Sequence, residues 1–151
     1  MSQKVILLAD DDGDDREMFC EALANIDNSI DCNCAVNGIE LLDKLKSLEE
    51  KPNLIFLDLN MPIMNGWQCL KLLKRDERYK HIPVIMISTS SHQPEMDIAA
   101  GLGALGYFVK PNSFNELKQV LQAIVTNMGN GLRNAIQHLH ANGSRYIFPG
   151  N

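Results

Sequence analysis

Short apolar runs alternate with amphipathic stretches from residue 4 to about residue 126, and this alternation constrains the fold more than any other feature of the chain. Strands joined through helices form crossovers that are right-handed in nearly all cases, so they build a mostly parallel sheet with helices on its faces. The predicted strands are residues 5–9, 30–36, 54–57, 84–87 and 106–109, and the predicted helices are residues 16–26, 39–48, 66–75, 93–102 and 114–125.

The chain has 151 residues, which is the size of one ordinary domain with its own core. Residues 127–151 follow the last predicted helix of the alternating pattern and are too few for a second domain. Leu132, Ile136 and Leu139 within them lie at helical spacing. We therefore expect a C-terminal extension with one short helix at residues 132–140, packed on the domain or forming part of a partner surface.

The charge of the chain argues against two classes of partner. Lys and Arg number 14 against 19 Asp and Glu, a formal net charge of −5, and no basic run is present. Neither nucleic acid nor an anionic membrane is therefore an expected partner. The first apolar run is too short for a signal-peptide core or a membrane span, so a cytoplasmic protein is expected.

The four cysteines do not have the spacing of a zinc site, because Cys32 and Cys34 are separated by one residue and no second Cys or His pair lies nearby. Cys32 and Cys34 are expected on the same side of a strand. Together with Cys20 and Cys69 they are interpreted as reduced, partly buried thiols with a packing role.

Charged residues follow three of the predicted strands. Asp10 and Asp11 follow the first strand, Asp58 follows the third and Lys110 follows the fifth. The carboxyl ends of parallel strands share one edge of a sheet, so these side chains should converge if the first, third and fifth strands are adjacent. Converging carboxylates need a counter-ion, and a hard cation such as Mg²⁺ prefers oxygen ligands.

Asp58 is the predicted nucleophile of this group. A carboxylate can attack phosphorus to give an aspartyl-phosphate, and this transfer depends mainly on positioning and on neutralising the phosphoryl oxygens. Mg²⁺ and Lys110 would supply the neutralisation. Ser88, at the end of the fourth strand, and Thr89 beside it carry hydroxyls that can donate hydrogen bonds to phosphoryl oxygens.

With these residues in this order, the chain resembles response-regulator receiver domains of two-component signalling over about residues 4–126. The motifs that carry the resemblance are Asp10-Asp11, Asp58 in the run Leu57-Asp58-Leu59-Asn60-Met61-Pro62 with Gly66 beyond it, Ser88, and Lys110-Pro111. The resemblance implies a doubly wound α/β fold with a five-stranded parallel sheet, the (βα)5 flavodoxin-like receiver fold. Residues 127–151 would lie outside it as an extension that is not an independent domain.

The resemblance also implies a metal site and a phosphoacceptor. Asp58 would accept a phosphoryl group from a histidine kinase or phosphotransfer protein. Mg²⁺ would be bound directly by Asp11, Asp58 and the main-chain carbonyl of Asn60, and through water by Asp10. Lys110 would pair with Asp58 and later with the phosphoryl group.

Further residues match the family's switch. Ser88 would move toward the phosphoryl group while the ring of Tyr107 turns inward, with Thr89 also near that group. Asn60 and Ser90 flank the approach to Asp58 and would tune dephosphorylation. The bond between Lys110 and Pro111 is expected to be cis, as is usual in the family.

The remaining acidic residues of the first loop, Asp12, Asp14 and Asp15, are interpreted as solvated turn or helix-cap residues. The histidines are not assigned to a site, because none lies in a matching constellation.

The expected function is a stand-alone receiver that catalyses only its own phosphorylation and dephosphorylation and is otherwise not an enzyme. Phosphorylation would alter a protein-binding surface on the fourth helix, fifth strand and fifth helix, read by an unknown downstream protein target. One alternative is a phosphorylation-independent adaptor with the same fold. Another is a phosphatase with an aspartyl-phosphate intermediate, although Asn60 stands where such enzymes place an acid/base Asp.

Overall fold

The computed structural model of the chain describes residues 4–150, which fold around one six-stranded sheet with the strand order β2-β1-β3-β4-β5-β6. The first five strands are parallel, and the sixth is antiparallel to its neighbour. The strands are β1 (Val5–Ala9), β2 (Asp31–Ala35), β3 (Leu54–Asp58), β4 (Val84–Ser88), β5 (Gly106–Val109) and β6 (Ile147–Pro149).

Helices cover both faces of the sheet. They are α1 (Gly13–Ile26), α2 (Gly38–Ser47), α3 (Gly66–Arg75), α4 (Gln93–Gly101), α5 (Phe114–Thr126) and α6 (Leu132–Ala141). One apolar core lies between the sheet and α1, α5 and α6, and the other lies between the sheet and α2, α3 and α4. The strands β1, β3 and β4 are buried along their whole length, because helices pack on both of their faces. The doubly wound α/β fold predicted from the sequence is confirmed.

Several helices start where a side chain accepts hydrogen bonds from free main-chain N–H groups. The carboxylate of Asp12 accepts from Asp14 and Asp15 at the start of α1, at 2.9 and 3.2 Å. Asn65 and Gln68 form a reciprocal capping box at the start of α3. These caps fix the starts of the helices that follow β1 and β3, where the charged residues lie.

The five predicted parallel strands are all present, and the sheet has one further, antiparallel strand that was not predicted from the sequence. Residues of the extension form α6 and then β6, which pairs with β5 so that Phe148 lies opposite Tyr107. Ile136 of α6 is fully buried and packs against Gly106, whose missing side chain leaves room for it. The three residues of β6 are too few to show alternation, and they become a strand because β5 otherwise leaves its main-chain groups unpaired.

Other contacts also hold the extension on the domain. The hydroxyl of Tyr146 donates a hydrogen bond to Glu116 on α5, and Leu132 is buried against the same core as Ile136. Within residues 4–150, every helix is too short or too polar to cross a membrane.

Candidate functional site

The predicted site residues meet at the carboxyl edge of the parallel strands. Asp10 follows β1, Asp58 is the last residue of β3, and Lys110 follows β5. The first and third strands are adjacent as expected, but β4 separates β3 from β5. The adjacency on which the expected convergence depended holds for β1 and β3 only, because successive strands after β3 are added outward on one side of the sheet. The long side chain of Lys110 spans β4 and restores the contact.

Lys110 is the cation at the centre of the site. Its ammonium lies 2.8 Å from a carboxylate oxygen of Asp10, 2.8 Å from one of Asp15 and 3.2 Å from one of Asp58. Burial alone would lower the pKa of Lys110, but the hydrogen bonds to Asp10 and Asp15 outweigh it and raise the pKa above its usual value. The ammonium is therefore charged throughout the neutral range.

Asp58 is a buried carboxylate, with 6% of its surface exposed. Its pKa is raised to about 7, chiefly because burial disfavours the charged form and also because the carboxyl of Asp10 lies beside it. Lys110 and the main-chain N–H of Asn60, which donates to Asp58 at 3.2 Å, act in the opposite direction. Asp58 therefore titrates close to neutral pH.

Three carboxylates could hold a metal ion. Asp10, Asp11 and Asp58 each place an oxygen within 4.8 Å of the others. Asp10 is fully buried and accepts a hydrogen bond from the N–H of Asp12 at 3.0 Å, whereas Asp11 is exposed to solvent. Oxygen donors of this charge fit a hard divalent cation such as Mg²⁺, which binds a few carboxylates and keeps several waters. Asn60 is exposed next to them.

Ser88, Thr89 and Ser90 form the turn after β4. The hydroxyl of Ser88 is buried and accepts a hydrogen bond from the N–H of Ser90 at 3.0 Å, while Thr89 is exposed. The N–H of Lys110 donates to the main-chain oxygen of Ser88 at 2.8 Å. This bond ties the turn after β4 to the residue that carries the central ammonium.

Tyr107 connects the turn after β4 with α4. Its hydroxyl donates to the main-chain oxygen of Ser90 at 2.8 Å and lies 3.2 Å from a carboxylate oxygen of Glu95. The ring is 1% exposed and lies inward in this structure. This position provides two acceptors near the hydroxyl and an apolar surrounding for the ring.

The bond between Lys110 and Pro111 is trans, contrary to the expectation of a cis bond. An X–Pro bond has an intrinsic preference for trans of roughly 0.5–1 kcal/mol. The ammonium of Lys110 makes its three carboxylate contacts with the trans bond in place.

The start of α3 presses directly on the main chain of Asp58. A side chain at Gly66 would collide with the carbonyl oxygen of Asp58, and the N–H of Gly66 donates to Leu59 at 3.0 Å. The motif glycine is therefore required by close approach of two segments of main chain. It sets the position of Asp58 relative to α3.

Ile63, in the loop between β3 and α3, has an unusual backbone conformation. Its φ angle is +69°, in the left-handed region that β-branched residues rarely adopt, and its side chain is 82% exposed. The apolar side chain gains little by burial to offset this strain.

Two acidic residues of the site were not predicted from the sequence. Asp15 had been interpreted as a solvated cap residue, yet it binds Lys110 as closely as Asp10 does. With Asp12 as the cap of α1, Asp15 is the third residue of the helix, in a first turn that faces the sheet edge. The three-residue spacing between Asp12 and Asp15 is the feature of the sequence from which the contact with Lys110 could have been predicted. Glu95 had a weaker signal, as an acid in the first turn of α4.

Comparisons with known proteins agree with this geometry. The family model of the response regulator receiver domain matches residues 6–122. Chemotaxis protein CheY1 of Helicobacter pylori is 33% identical over 120 residues, which cover 80% of this chain and 95% of the relative.

Solved structures of response regulators superpose on the chain. The phosphorylated cyanobacterial phytochrome response regulator RcpA has a TM-score of 0.77 at 29% identity, over 84% of this chain and 94% of the other. The Mn²⁺-bound form of response regulator Rcp1 has a TM-score of 0.72 at 27% identity, over 82% and 92%. The match extends across β1 to α5 and includes every strand end that carries a site residue. The chain therefore belongs to the response regulator receiver domain family of two-component signalling.

Proposed function

We propose that Asp58 accepts a phosphoryl group from the phosphohistidine of a histidine kinase or a phosphotransfer protein. The observation that supports this most is the contact of a buried Asp58 with the ammonium of Lys110 beside two further carboxylates. A cluster of buried carboxylates makes folding less favourable, because each carboxylate disfavours ionisation of the others. Such a cluster is therefore expected where the carboxylates take part in chemistry.

The transfer uses Asp58 as a nucleophile. One of its carboxylate oxygens forms a bond to phosphorus while the bond from phosphorus to the imidazole nitrogen of the donor breaks, and that nitrogen keeps the electron pair. Asp58 must be ionised to attack, so deprotonation of a group with a pKa of about 7 precedes the transfer. The ammonium of Lys110 lies 3.2 Å from one oxygen of Asp58 and can neutralise the negative charge of the incoming phosphoryl group.

Asp11, Asp58 and the main-chain carbonyl of Asn60 would hold Mg²⁺ directly, and Asp10 would act through water. When bound, Mg²⁺ neutralises charge on the carboxylates and on phosphoryl oxygens. The three clustered carboxylates support this assignment through their oxygen donors and their charge.

Phosphorylation would alter a protein-binding surface formed by α4, β5 and α5. Ser88 and Thr89 would donate to the phosphoryl group, which would take the Ser88 hydroxyl from its present bond with Ser90. Tyr107 bonds the main chain of Ser90 and the side chain of Glu95, so a shift of the turn after β4 would be transmitted to α4. Asn60 and Ser90 would tune loss of the phosphoryl group, and a downstream protein would bind the altered surface.

The expected chemistry ends with phosphorylation and dephosphorylation of the chain itself. A phosphatase with the same intermediate needs a proton donor two residues after its nucleophile, and Asn60 occupies that position. The other alternative is an adaptor that has the receiver fold and binds its partner without phosphorylation. The first experiment must distinguish this adaptor from a phosphorylated receiver.

The decisive experiment is incubation with Mg²⁺ and acetyl phosphate followed by intact-mass measurement. We expect one phosphoryl adduct on the unaltered chain and none on Asp58→Asn. Asp14→Asn is the matched control, because Asp14 is an exposed carboxylate in the first turn of α1, and it should be phosphorylated like the unaltered chain. An absence of adduct together with no response to beryllofluoride would reject the phosphoacceptor and favour the adaptor.

A further inference from the structure

A second cluster of possible ligands lies on the opposite side of β1 from β3 and contains three cysteines. The Sγ atom of Cys20 on α1 lies 2.9 Å from that of Cys32 and 3.3 Å from that of Cys34, both on β2. All three sulfurs lie within 4.8 Å of one another. Cys32 and Cys34 point to one side of the strand, as predicted from the sequence, but the approach of Cys20 was not foreseen.

The docking of α1 on the sheet explains the convergence. Alternate residues of β2 face the same helix layer, and Cys32 and Cys34 pack there against the core that α1 helps to form. Cys20 reaches them from the helix. The three side chains are partly buried free thiols, and the fold already holds their sulfurs close together.

We propose that Cys20, Cys32 and Cys34 form a binding site for a soft, thiophilic cation of the Zn²⁺ type, separate from the carboxylate site. Thiolate ligands select such ions, whereas carboxylate and carbonyl oxygens suit Mg²⁺. In a tetrahedral site with Zn–S bonds of about 2.3 Å, neighbouring sulfurs are about 3.8 Å apart. The two contacts of the Cys20 sulfur, at 2.9 and 3.3 Å, need to lengthen by less than about 1 Å to reach that spacing.

The three thiols differ in how readily they ionise. Hydrogen bonds to Cys20 and Cys34, together with burial, raise the pKa of the Cys32 thiol. The hydrogen bond to Cys32 lowers the pKa of Cys20, but the bond to Cys34 and burial outweigh it and raise that pKa to about 11, so a bound cation must displace the protons of Cys20 and Cys32. Hydrogen bonds from Cys20 and then Cys32 lower the pKa of the Cys34 thiol well below its usual value, and the nearby charges of Arg16 and Lys44 lower it further. Three protein sulfurs leave the fourth position of a tetrahedral ion to water or to an outside ligand. The site therefore resembles an open metal site rather than a closed structural one.

A Cd²⁺ titration of the reduced full chain, in excess Mg²⁺ to occupy the carboxylates, tests the proposal. We expect a thiolate-to-metal charge-transfer absorption that saturates at one Cd²⁺ per chain and is displaced by Zn²⁺. Cys20→Ser and Cys34→Ser should each weaken binding by at least about 100-fold, since loss of a group that only hydrogen-bonds a metal ligand already costs about 10–100-fold. Cys69→Ala should bind like the unaltered chain, because Cys69 is a buried thiol in the other core.

Far-UV circular dichroism and a cooperative thermal transition, neither of which depends on metal binding or on Asp58, provide the check that the serine variants are folded. Equal Cd²⁺ affinity in the unaltered chain and in Cys34→Ser would overturn the site. A reduced chain without the charge-transfer signal would also overturn it, and a Cys20–Cys32 disulfide formed by the same protein in air would then point to a redox pair.

Discussion

The carboxylate site and the C-terminal extension contribute to the stability of the protein in opposite directions. At the site, Asp10, Asp15 and Asp58 surround a single ammonium, and burial makes ionisation of Asp58 unfavourable. In the extension, α6 and β6 bury apolar side chains and pair main-chain groups with β5. Burial of apolar surface stabilises a fold under all ordinary conditions, whereas a charge cluster depends on pH and on bound cations. The chemistry of the site is therefore held in place by the rest of the fold.

The largest effect is expected from the extension. Ile136→Ala removes a fully buried side chain between α6 and β5, and the free energy of unfolding should fall by about 2–5 kcal/mol. Ile136→Val is the matched control, with an expected loss of about 0.5–1.5 kcal/mol. Urea denaturation measures both. A loss near zero for the alanine variant would mean that the extension contributes nothing to the stability of the domain.

In Mg²⁺-free protein, ionisation of Asp58 at the site should lower the free energy of unfolding. The pKa of Asp58 is raised to about 7 from 3.8, so the stabilisation that protonated Asp58 provides is complete below pH 4 and is lost as the pH rises through 7. Between pH 5 and pH 8 the unaltered chain should lose up to a few kcal/mol from this group.

Asp58→Asn removes the titration and should flatten this part of the pH dependence, so the variant becomes the more stable protein at pH 8 in EDTA. Thermal unfolding at a series of pH values measures the effect. Asp14→Asn serves as the control for loss of one charge at an exposed position. Parallel curves for the unaltered chain and Asp58→Asn would contradict the raised pKa.

Bound Mg²⁺ should offset part of the repulsion among the carboxylates and so stabilise the folded protein. A ligand that binds only the folded state at 100 times its Kd stabilises by about 2.7 kcal/mol, so saturating Mg²⁺ should raise the melting temperature. Asp11→Ala should reduce this rise, because it removes an exposed member of the carboxylate group. Asp12→Ala is unsuitable as a control since Asp12 caps α1, whereas Asp14→Ala should keep the full rise. An equal rise in Asp11→Ala and Asp14→Ala would exclude Asp11 as a ligand.

The smallest expected effect comes from the loop beside the site. Ile63→Asn should raise the free energy of unfolding by about 1 kcal/mol, because Asn tolerates the left-handed conformation that costs other L-residues roughly 1–2 kcal/mol. Ile63→Val keeps the β-branched strain and should leave stability nearly unchanged. A loss of stability in Ile63→Asn, measured by urea denaturation, would show that the exposed isoleucine makes a favourable contact in the folded state.

Much of the parallel sheet could be predicted because local sequence determines it. The apolar runs at β1, β3 and β4 are continuous, as expected for strands buried on both faces, and a charged or hydroxyl residue ends or directly follows each of these strands and β5. Asp58, Lys110 and Ser88 could be placed at one edge for the same reason.

The parts that could not be predicted depend on contacts between distant segments. β6 is a strand only because β5 offers an edge, and Asp15 joins the site only because α1 begins at Asp12. The thiol cluster needs α1 to dock Cys20 over β2, which no spacing in the sequence reveals. The expected cis bond before Pro111 came from family resemblance, and no property of the neighbouring residues required it.

The pairing of β6 with β5 also restricts how a partner can recognise this end of the sheet. Many proteins capture an extended peptide by adding it as a further strand, which requires a free row of main-chain donors and acceptors. Here β6 already occupies the row on β5, and the new outer strand is three residues long and ends at Pro149. A proline-terminated strand of that length is a poor template for strand addition. A partner of this face is therefore expected to bind side chains of the helices, as a helix laid in a groove does.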